Sequence, residues 1–578
     1  MEITEAVQGF NKKYEPRTVA PSNQYVLLRF AEVLREVLGS TSEVGNMNEP
    51  PMHVGADVAI SIGNPKLARN IAERITERHE TYLDKVVAEG PFVNVWFNKE
   101  KLITETLTVV QELRDMFGTS DVCGGMKTLI EYSSPNIAKP MSVGHLRSTI
   151  IGESLARIYE ATGYTVFREN YLGDWGTQFG KLIYAYQTWG DIKEVKHKPI
   201  QTLKDLYVQF HEESEQDGTL NDKARDIFKR LEGEDGTLLR LWKQFRDMSV
   251  TAFESVYKRL GIVFDNYDGE SYYRDVAEET INECLKREIC MYGEGNAVVA
   301  EIDNLPTFLL KKQDGATLYL SRDIAALRKR VTAFEPHSLL YVVGSEQTLH
   351  FRQLFALAKR LGYLDSVRAE HILFGLVMLG GKRMSTRKGS SVSLEELLDK
   401  SVVKAQEILL KKNSELSKRE QNLLAEMVGI GSVVYSDLRQ SRERTISFDW
   451  DKMLNLEGGS AVYLQYTYAR ARSVLRKAGN KVHVPEQVRW EENIEFQLVR
   501  KLSFFPFVVQ EAQRRNAPHL ICTYLEELAR QFNAFYNDIP ILKAEGGLRS
   551  TRLALTSAIA ITIQNGLTLL NVGVPEKM

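Results

Sequence analysis

Cysteine is scarce in this chain. The four residues present among 578, Cys123, Cys284, Cys290 and Cys522, are widely spaced and form no C-x-x-C pair, which excludes a zinc ribbon or a disulfide framework and makes a reducing compartment the expected setting. Long hydrophobic runs are also absent. No stretch of about 18 apolar residues occurs, and the amino terminus, Met1-Glu-Ile-Thr-Glu5, has neither a basic region nor an apolar one. Neither a membrane span nor a secretory leader is therefore expected, and a cytoplasmic protein is. Charge of one sign is lacking as well. The 74 Lys and Arg against 76 Asp and Glu leave a formal charge of -2, so nucleic acid is not attracted to the protein as a whole and any RNA contact has to come from locally basic surfaces.

What is present is an ordinary globular composition, 43% hydrophobic and 26% charged, in a chain too long for one core, so two to four domains are expected. Residues 1 to about 125 read as a small α+β unit. It has helical stretches near Tyr25–Leu38 and Pro65–Ala88, a strand-like Phe92–Phe97 and a helix near Lys99–Phe117, closed by the glycine-bearing Gly118–Gly125. Thr128–Ser133 then reads as a strand, Val143–Thr162 as a helix with apolar residues at Leu146, Ile150, Leu155 and Ile158, and Thr165–Leu172 as a further strand, a βαβ unit. From about 190 to 300 the chain turns charged and helical, the pattern of an insertion. Strand-like runs return at Ala297–Ile302, Thr317–Leu320 and Leu339–Val343. Beyond about 400 helical patterns dominate, at Glu396–Lys411, Arg419–Ser436, Ala461–Lys477, Glu495–Arg515 and Leu553–Leu570.

Two short stretches carry the chemistry. In Ser133-Ser-Pro-Asn-Ile-Ala-Lys-Pro-Met-Ser-Val-Gly-His145-Leu-Arg147, a strand, a loop and a helix bring unpaired backbone N–H groups and the positive end of a helix dipole to the edge of a parallel sheet, where phosphate is favoured. Gly144 leaves room for a flat adenine or ribose against the backbone. His145 can donate to phosphate oxygens as charge builds during attack on an α-phosphate, and Lys139 adds a point charge for the same oxygens. The second stretch, Lys382-Arg-Met-Ser-Thr-Arg-Lys-Gly389, is a basic, glycine-bounded loop after the strand-like His371–Leu379.

Together the two stretches resemble the signature pair of the class I aminoacyl-tRNA synthetases. The run from Ser133 to Gly152, followed by Asn170-Tyr-Leu-Gly-Asp-Trp-Gly-Thr-Gln-Phe-Gly180, points to the arginyl family, and the resemblance spans the whole chain. It implies that Lys382, Met384, Ser385 and Lys388 belong to the mobile loop that closes over ATP and stabilises leaving pyrophosphate, and that Lys139 supplies the charge missing where Thr386 replaces a lysine of the motif. Lys139, Ser142, Gly144, His145 and Lys388 are then the ATP-binding set. One position departs from the family pattern: Ser142 stands where the first histidine of His-x-Gly-His is expected, and a lost donor of that kind costs about 10²–10³ in rate.

The resemblance further implies an arginine pocket. Glu270, in Asp268-Gly-Glu-Ser271, faces the guanidinium; Tyr319 and Asp323, four residues apart, share one face if a helix begins there; Gln347 makes a polar contact. Ser134 and Asn136 hold the α-amino end, and Glu131 and His145 complete the set. A tRNA-binding face is implied at the opening of the carboxy-terminal domain, where Tyr463, Tyr466, Arg470 and Lys477 combine stacking with charge.

The fold expected is multidomain α/β plus α. An amino-terminal α+β domain (1–125) contacts the tRNA elbow, a Rossmann-type parallel-sheet catalytic domain (126–400) carries an insertion at about 190–300, and an all-α anticodon-binding domain (401–578) completes the chain. The function expected is that of an arginine–tRNA ligase using L-arginine, ATP with Mg²⁺ and tRNA(Arg), as a monomer with no structural metal and no membrane partner, in which activation requires bound tRNA. A relative that binds tRNA without efficient charging is the alternative, supported by Ser142 alone. A small-molecule nucleotidylyltransferase shares the ATP site but has no evident use for the helical carboxy-terminal domain.

Overall fold

The computed structural model describes residues 17–39, 47–50, 54–313, 315–379, 382–383, 393–410, 417–455, 457–479 and 482–578. In the amino-terminal unit, strands β1 (Met47–Asn48), β2 (Val58–Ser61), β3 (Leu83–Glu89) and β4 (Phe92–Phe97) form an antiparallel sheet in the order β1-β2-β4-β3, with helices Val26–Leu38, Pro65–Thr76 and Lys99–Leu113. The helix expected over 65–88 stops at Thr76. The β-branched pair Val86-Val87 lies instead in β3, which turns back onto β4 through Gly90 at φ 58°.

This unit packs on the far end of the chain. Its helix Lys99–Leu113 lies against helices Asn493–Ser503 and Gly546–Leu569, Phe117 stacks on Phe505 at 5.8 Å, and Asn565 Nδ2 donates to the carbonyls of Arg114 (2.7 Å) and Phe117 (2.9 Å). Gly118 sits in the seam at φ +98°, where a Cβ would fall 2.3 Å from the Phe505 ring, so both its backbone angle and its neighbour require glycine.

The catalytic sheet is fully parallel. Strands β5 (Lys127–Glu131), β6 (Thr165–Glu169), β10 (Ser338–Tyr341) and β11 (Arg368–His371) run in the order β11-β10-β5-β6. Helix Val143–Ala161 connects β5 to β6 and buries an almost unbroken run of side chains, as a helix enclosed on most sides must. Between β6 and β10 come helices from Thr177–Trp189 to the 25-residue Gly236–Leu260, and an antiparallel sheet of β7 (Cys290–Tyr292), β8 (Val298–Ala300) and β9 (Phe308–Lys311). Thr317–Leu320, read above as strand-like, pairs only through a single bridge between Thr317 and Lys311. Helix Tyr319–Phe334 begins inside it.

Among the described residues the remainder is helical apart from β14 (Ile446–Phe448), which pairs in parallel with β12 (Val377–Leu379); β13 (Lys382–Arg383) pairs antiparallel on the other side of β12. The helix expected over Glu495–Arg515 is two, Asn493–Ser503 and Phe505–Arg514. Pro506, with no N–H to give, fits the first turn of a new helix but not the middle of an old one.

Candidate active site

After β6 the chain crosses to the other side of β5 to lay down β10, so the order of strands reverses between β5 and β10. Ligands of open parallel sheets bind at such a point, at the carboxyl ends of the strands. The pairing register sets Glu169, Glu131, Tyr341 and His371 side by side along that edge. The loop 132–142 leaves β5 on one side of the crevice, and the loop leading to Ser345–Gln347 leaves β10 on the other.

The first loop is held in an unusual shape. Ser133, Ser134 and Ala138 have φ of 72°, 45° and 61°, conformations that non-glycine residues keep only where their surroundings impose them. Ser133 N–H donates to Ser148 Oγ (2.9 Å), Ser134 N–H to Asn170 Oδ1 (3.2 Å) and Ala138 N–H to Ser249 Oγ (2.9 Å). The Ser133 hydroxyl meets Tyr257 OH at 2.7 Å, which also accepts from Asn170 Nδ2 at 3.0 Å. Tyr257 and Ser249 both lie on helix Gly236–Leu260, so the inserted helices shape the loop from outside.

At the start of helix Val143–Ala161, Ser142 N–H donates to His145 Nδ1 at 2.9 Å. With Nδ1 accepting, the ring proton is on Nε2, which is left to donate to a ligand. His145 keeps part of its surface open, yet burial, aided by the charge of Lys139, pushes its imidazolium down to about 4. It is a neutral donor at physiological pH. A Cβ on Gly144 would meet only Ser142 Oγ, at 3.4 Å, so the face above the helix end is open. Lys139 Nζ lies 4.6 Å from the centroid of Tyr207, on the inserted helix Pro199–Gln216, and burial lowers its pKa.

Beside this loop is a pocket of carboxylates, each facing a cation of the protein. Arg330, fully buried between Tyr171 and Tyr341 (5.2 and 5.7 Å to the ring centroids), pairs with Glu131 at 2.5 Å. Asp323 Oδ2 is 2.6 Å from His350 Nε2. Arg322 Nη2 is 3.0 Å from Glu270 Oε2, an ion pair without the alignment of a good hydrogen bond. Burial outweighs the paired cation at Glu131, whose pKa is raised, and at Glu270, where it reaches about 8. At His350 burial pulls downward, but the contact with Asp323 wins and the pKa rises. The loop carrying Glu270 is fastened by Asp174, fully buried, which accepts from Ser271 N–H (2.8 Å), Ser271 Oγ (2.9 Å) and Arg246 Nε (3.2 Å).

On the carboxy-terminal domain, Tyr466, Arg470, Arg476, Tyr536 and Lys577 line a cavity of about 380 Å³. Arg470 sits 5.0 Å from the Tyr466 ring and 4.9 Å from that of Tyr536.

Residues 114–450 match the family described as "tRNA synthetases class I (R), catalytic domain", and residues 464–578 match the "DALR anticodon binding domain". An arginine–tRNA ligase of Exiguobacterium sibiricum is 40% identical over 562 residues, covering 95% of this chain and 99% of its own length. The chain belongs to the arginyl-tRNA synthetases. A second relative, the arginine–tRNA ligase of Chloroflexus aggregans, is 38% identical over 573 residues, covering 96% of this chain and all of its own. The fold is that of the Thermus thermophilus arginyl-tRNA synthetase, with a TM-score of 0.81 at 24% identity over 95% of this chain and 99% of that one.

Of the residues an arginyl-tRNA synthetase was expected to use, the structure gathers Glu131, Glu270, Tyr319 and Asp323 into one electrostatic neighbourhood, with Ser134, its buried Oγ lacking a partner, on the adjoining loop. Asn136 is exposed and pairs with Gly173 in a single bridge, and Gln347 is exposed in its short 3₁₀ turn. Met384, Ser385 and Lys388 lie outside the described residues, and Lys382 is described as part of β13 only. Tyr463 lies on the anticodon-domain helix, accepting from Asn533 Nδ2 at 3.0 Å. Lys477, expected on the same face as Tyr466 and Arg470, is exposed on the last turn and does not line the cavity, whereas Arg476 does. Lys577 and Met578 line the cavity there instead.

Sequence reasoning missed Arg322, Arg330, His350, Tyr207 and Tyr257. His350 lies three residues past Gln347, and Arg322 lies between Tyr319 and Asp323, so both were within view. Tyr207 and Tyr257 sit in charged helices with nothing local to single them out.

Proposed function

We propose that this chain activates L-arginine with ATP and transfers the arginyl group to tRNA(Arg), and that the residues gathered at the β5/β10 crevice perform the first step. The observation that carries the reading is the adjacency of two unlike sites: a strained loop ending at a helix start with a neutral N–H donor, His145, and a lysine, Lys139, and a pocket of three carboxylates. Glu270 and Asp323 take the guanidinium, where two charge-assisted contacts fix a planar cation. Tyr319 lies along it, and Ser134 and Asn136 receive the α-amino end. The arginine carboxylate attacks the α-phosphorus of ATP, and the bond to pyrophosphate breaks. His145 Nε2–H and Lys139 stabilise the charge that grows on the phosphate oxygens, Mg²⁺ arrives with ATP as part of the substrate, and the 382–389 loop accompanies the leaving pyrophosphate. No protein nucleophile is needed. A hydroxyl of the terminal adenosine of tRNA then attacks the arginyl carbonyl and AMP leaves.

The cavity of Tyr466, Arg470 and Tyr536 is the place for anticodon bases, since aromatic faces and a guanidinium suit stacking. The amino-terminal unit, residues 1–125, is assigned the contact with the tRNA elbow. Four free, buried cysteines suit work in a reducing cytoplasm. The test is arginine-dependent charging of tRNA(Arg), run on this chain and on Ser142→His. Charging by the unaltered chain supports the reading in full. Charging by the histidine variant alone leaves the substrates in place and makes this chain a weakened enzyme, and tRNA binding without charging by either favours a binding protein.

A further inference from the structure

We propose that Arg322 is a positioning residue for arginine recognition, the resident counter-ion that orients the Glu270 carboxylate for the incoming guanidinium and opposes its protonation. The inference rests on Glu270 being the guanidinium's partner, as proposed above. The three carboxylates of the pocket are not held alike. Arg330, which faces Glu131, is walled in by Tyr171, Tyr273 and Tyr341 and belongs to the core. Asp323 has a histidine. Glu270 is paired with an arginine beside the open Tyr319: Arg322 packs 5.1 Å from the centroid of that ring, which is 54% exposed.

Apart from Glu270 and the Tyr319 ring, no strong contact among the described residues fixes Arg322. It sits in the first turn of helix Tyr319–Phe334, the end at which the helix dipole disfavours a cation. Its other bonds are long, Nη1 to Thr317 O at 3.4 Å and to Thr317 Oγ1 at 3.5 Å, and its buried Nε has no partner. A buried arginine so poorly bonded elsewhere is kept by the carboxylate, and the carboxylate has as much need of it. Glu270 is faced by Asp323 and Tyr319 from the same helix and by Asp174 and Tyr171 from the loop after β6. Among these, Arg322 is the one positive group in contact with it. Burial and the neighbouring acids drive Glu270 towards its neutral form, and Arg322 opposes them. A neutral carboxyl attracts a guanidinium weakly, so an empty pocket without Arg322 would admit arginine only at the expense of a proton.

The experiment is a titration of L-arginine binding to the full chain between pH 6 and 8.5, for wild type, Arg322→Gln, Arg322→Lys and Glu270→Gln, with thermal unfolding of each as a check on folding. Arginine binds the ionised form of Glu270, so affinity climbs with pH up to that group's pKa and is level above it. Arg322→Gln should move the climb to higher pH, weakening binding at pH 7 about tenfold for each unit that the midpoint rises, with the deficit shrinking as pH increases. Arg322→Lys should restore most of the loss, and Glu270→Gln should remove the climb that Arg322→Gln shifts, leaving only the limb of His350, which faces Asp323. Equal or tighter binding by Arg322→Gln would overturn the proposal, making Arg322 a bystander or a competitor of the substrate. So would a loss that is the same at every pH and is not restored by lysine, which is the mark of packing. If neither wild type nor Ser142→His supports arginine-dependent ATP–pyrophosphate exchange in the presence of tRNA(Arg), the arginine assignment itself fails; exchange by either with a flat Arg322→Gln profile sinks this inference alone.

Discussion

Arg147→Ala is expected to destabilise the catalytic domain by about 1–2 kcal/mol more at pH 7 than at pH 5. Arg147 and Asp437 are buried at 0% and 1% exposure with Nε 3.1 Å from Oδ1, and Arg147 Nη1 also donates to the carbonyls of Gly375 and Arg444, both at 2.8 Å. Without the guanidinium, Asp437 would be left charged in a dry site, which costs about 3–5 kcal/mol, unless it takes up a proton. Burial already pushes this carboxyl from 3.8 to about 6 against the pull of Arg147, so protonation is the cheaper course. Keeping it neutral at pH 7 against its ordinary value costs about 4 kcal/mol, at about 1.4 kcal/mol per unit, but wild type already bears about 3 kcal/mol of this through the rise to about 6, so the variant's added penalty is about 1.4 kcal/mol at pH 7 and close to nothing at pH 5. The native state binds the extra proton, so the variant's stability falls as pH rises through this range. Urea unfolding of wild type, Arg147→Ala and Arg147→Met with Asp437→Leu at the two pH values measures this. The double variant should recover most of the loss, because two apolar side chains leave no charge stranded. A penalty that does not change between pH 5 and 7, or a double variant no better than the single one, would refute the reasoning.

Ser142→His should speed arginine-dependent ATP–pyrophosphate exchange by up to about 10²–10³; an unchanged rate would show that Lys139 and His145 already suffice. Gly152→Ala places a Cβ 2.2 Å from Tyr132 Cγ, an overpacking worth about 1–3 kcal/mol that should lower the urea midpoint, and a wild-type midpoint would mean that Tyr132 yields freely. Since His145 is held to about 4, activation should show no step from it between pH 5 and 8, and a limb near 6.5 that His145→Gln abolishes would contradict its being a neutral donor. Tyr536→Ala should weaken tRNA(Arg) binding by about 1–3 kcal/mol, the loss of one stacking surface, with arginine binding untouched as the control titration.

The βαβ unit and the helical carboxy-terminal half were legible because their signals are local: apolar spacing along 143–161, glycine at 163, long uninterrupted periodicity from 553 onward. What local signals mislead about is the short strand. Val86-Val87 looked helical as the tail of Pro65–Thr76 because only its partner, β4, makes it a strand, and Thr317 looked extended although the helix bearing Asp323 begins two residues later. At the site, the motif residues were visible as types, whereas the cations that answer them were not. An arginine in a helix reads as a solvated charge until the fold shows it enclosed, as Arg330 is by three tyrosines, and Tyr257 becomes part of the signature loop only when a helix more than a hundred residues away folds over it.

The seam between the two ends of the molecule bears on how it is made. The partners of Arg114 and Phe117 lie 451 and 448 residues further on, and at about 5–20 residues per second a ribosome needs roughly 20–90 seconds to deliver them. For that interval the newborn amino-terminal unit lacks the cover that Phe505 later gives Phe117 and that helices Asn493–Ser503 and Gly546–Leu569 give helix Lys99–Leu113. The surface that finally locks the enzyme shut is the one a nascent chain has to have shielded the longest.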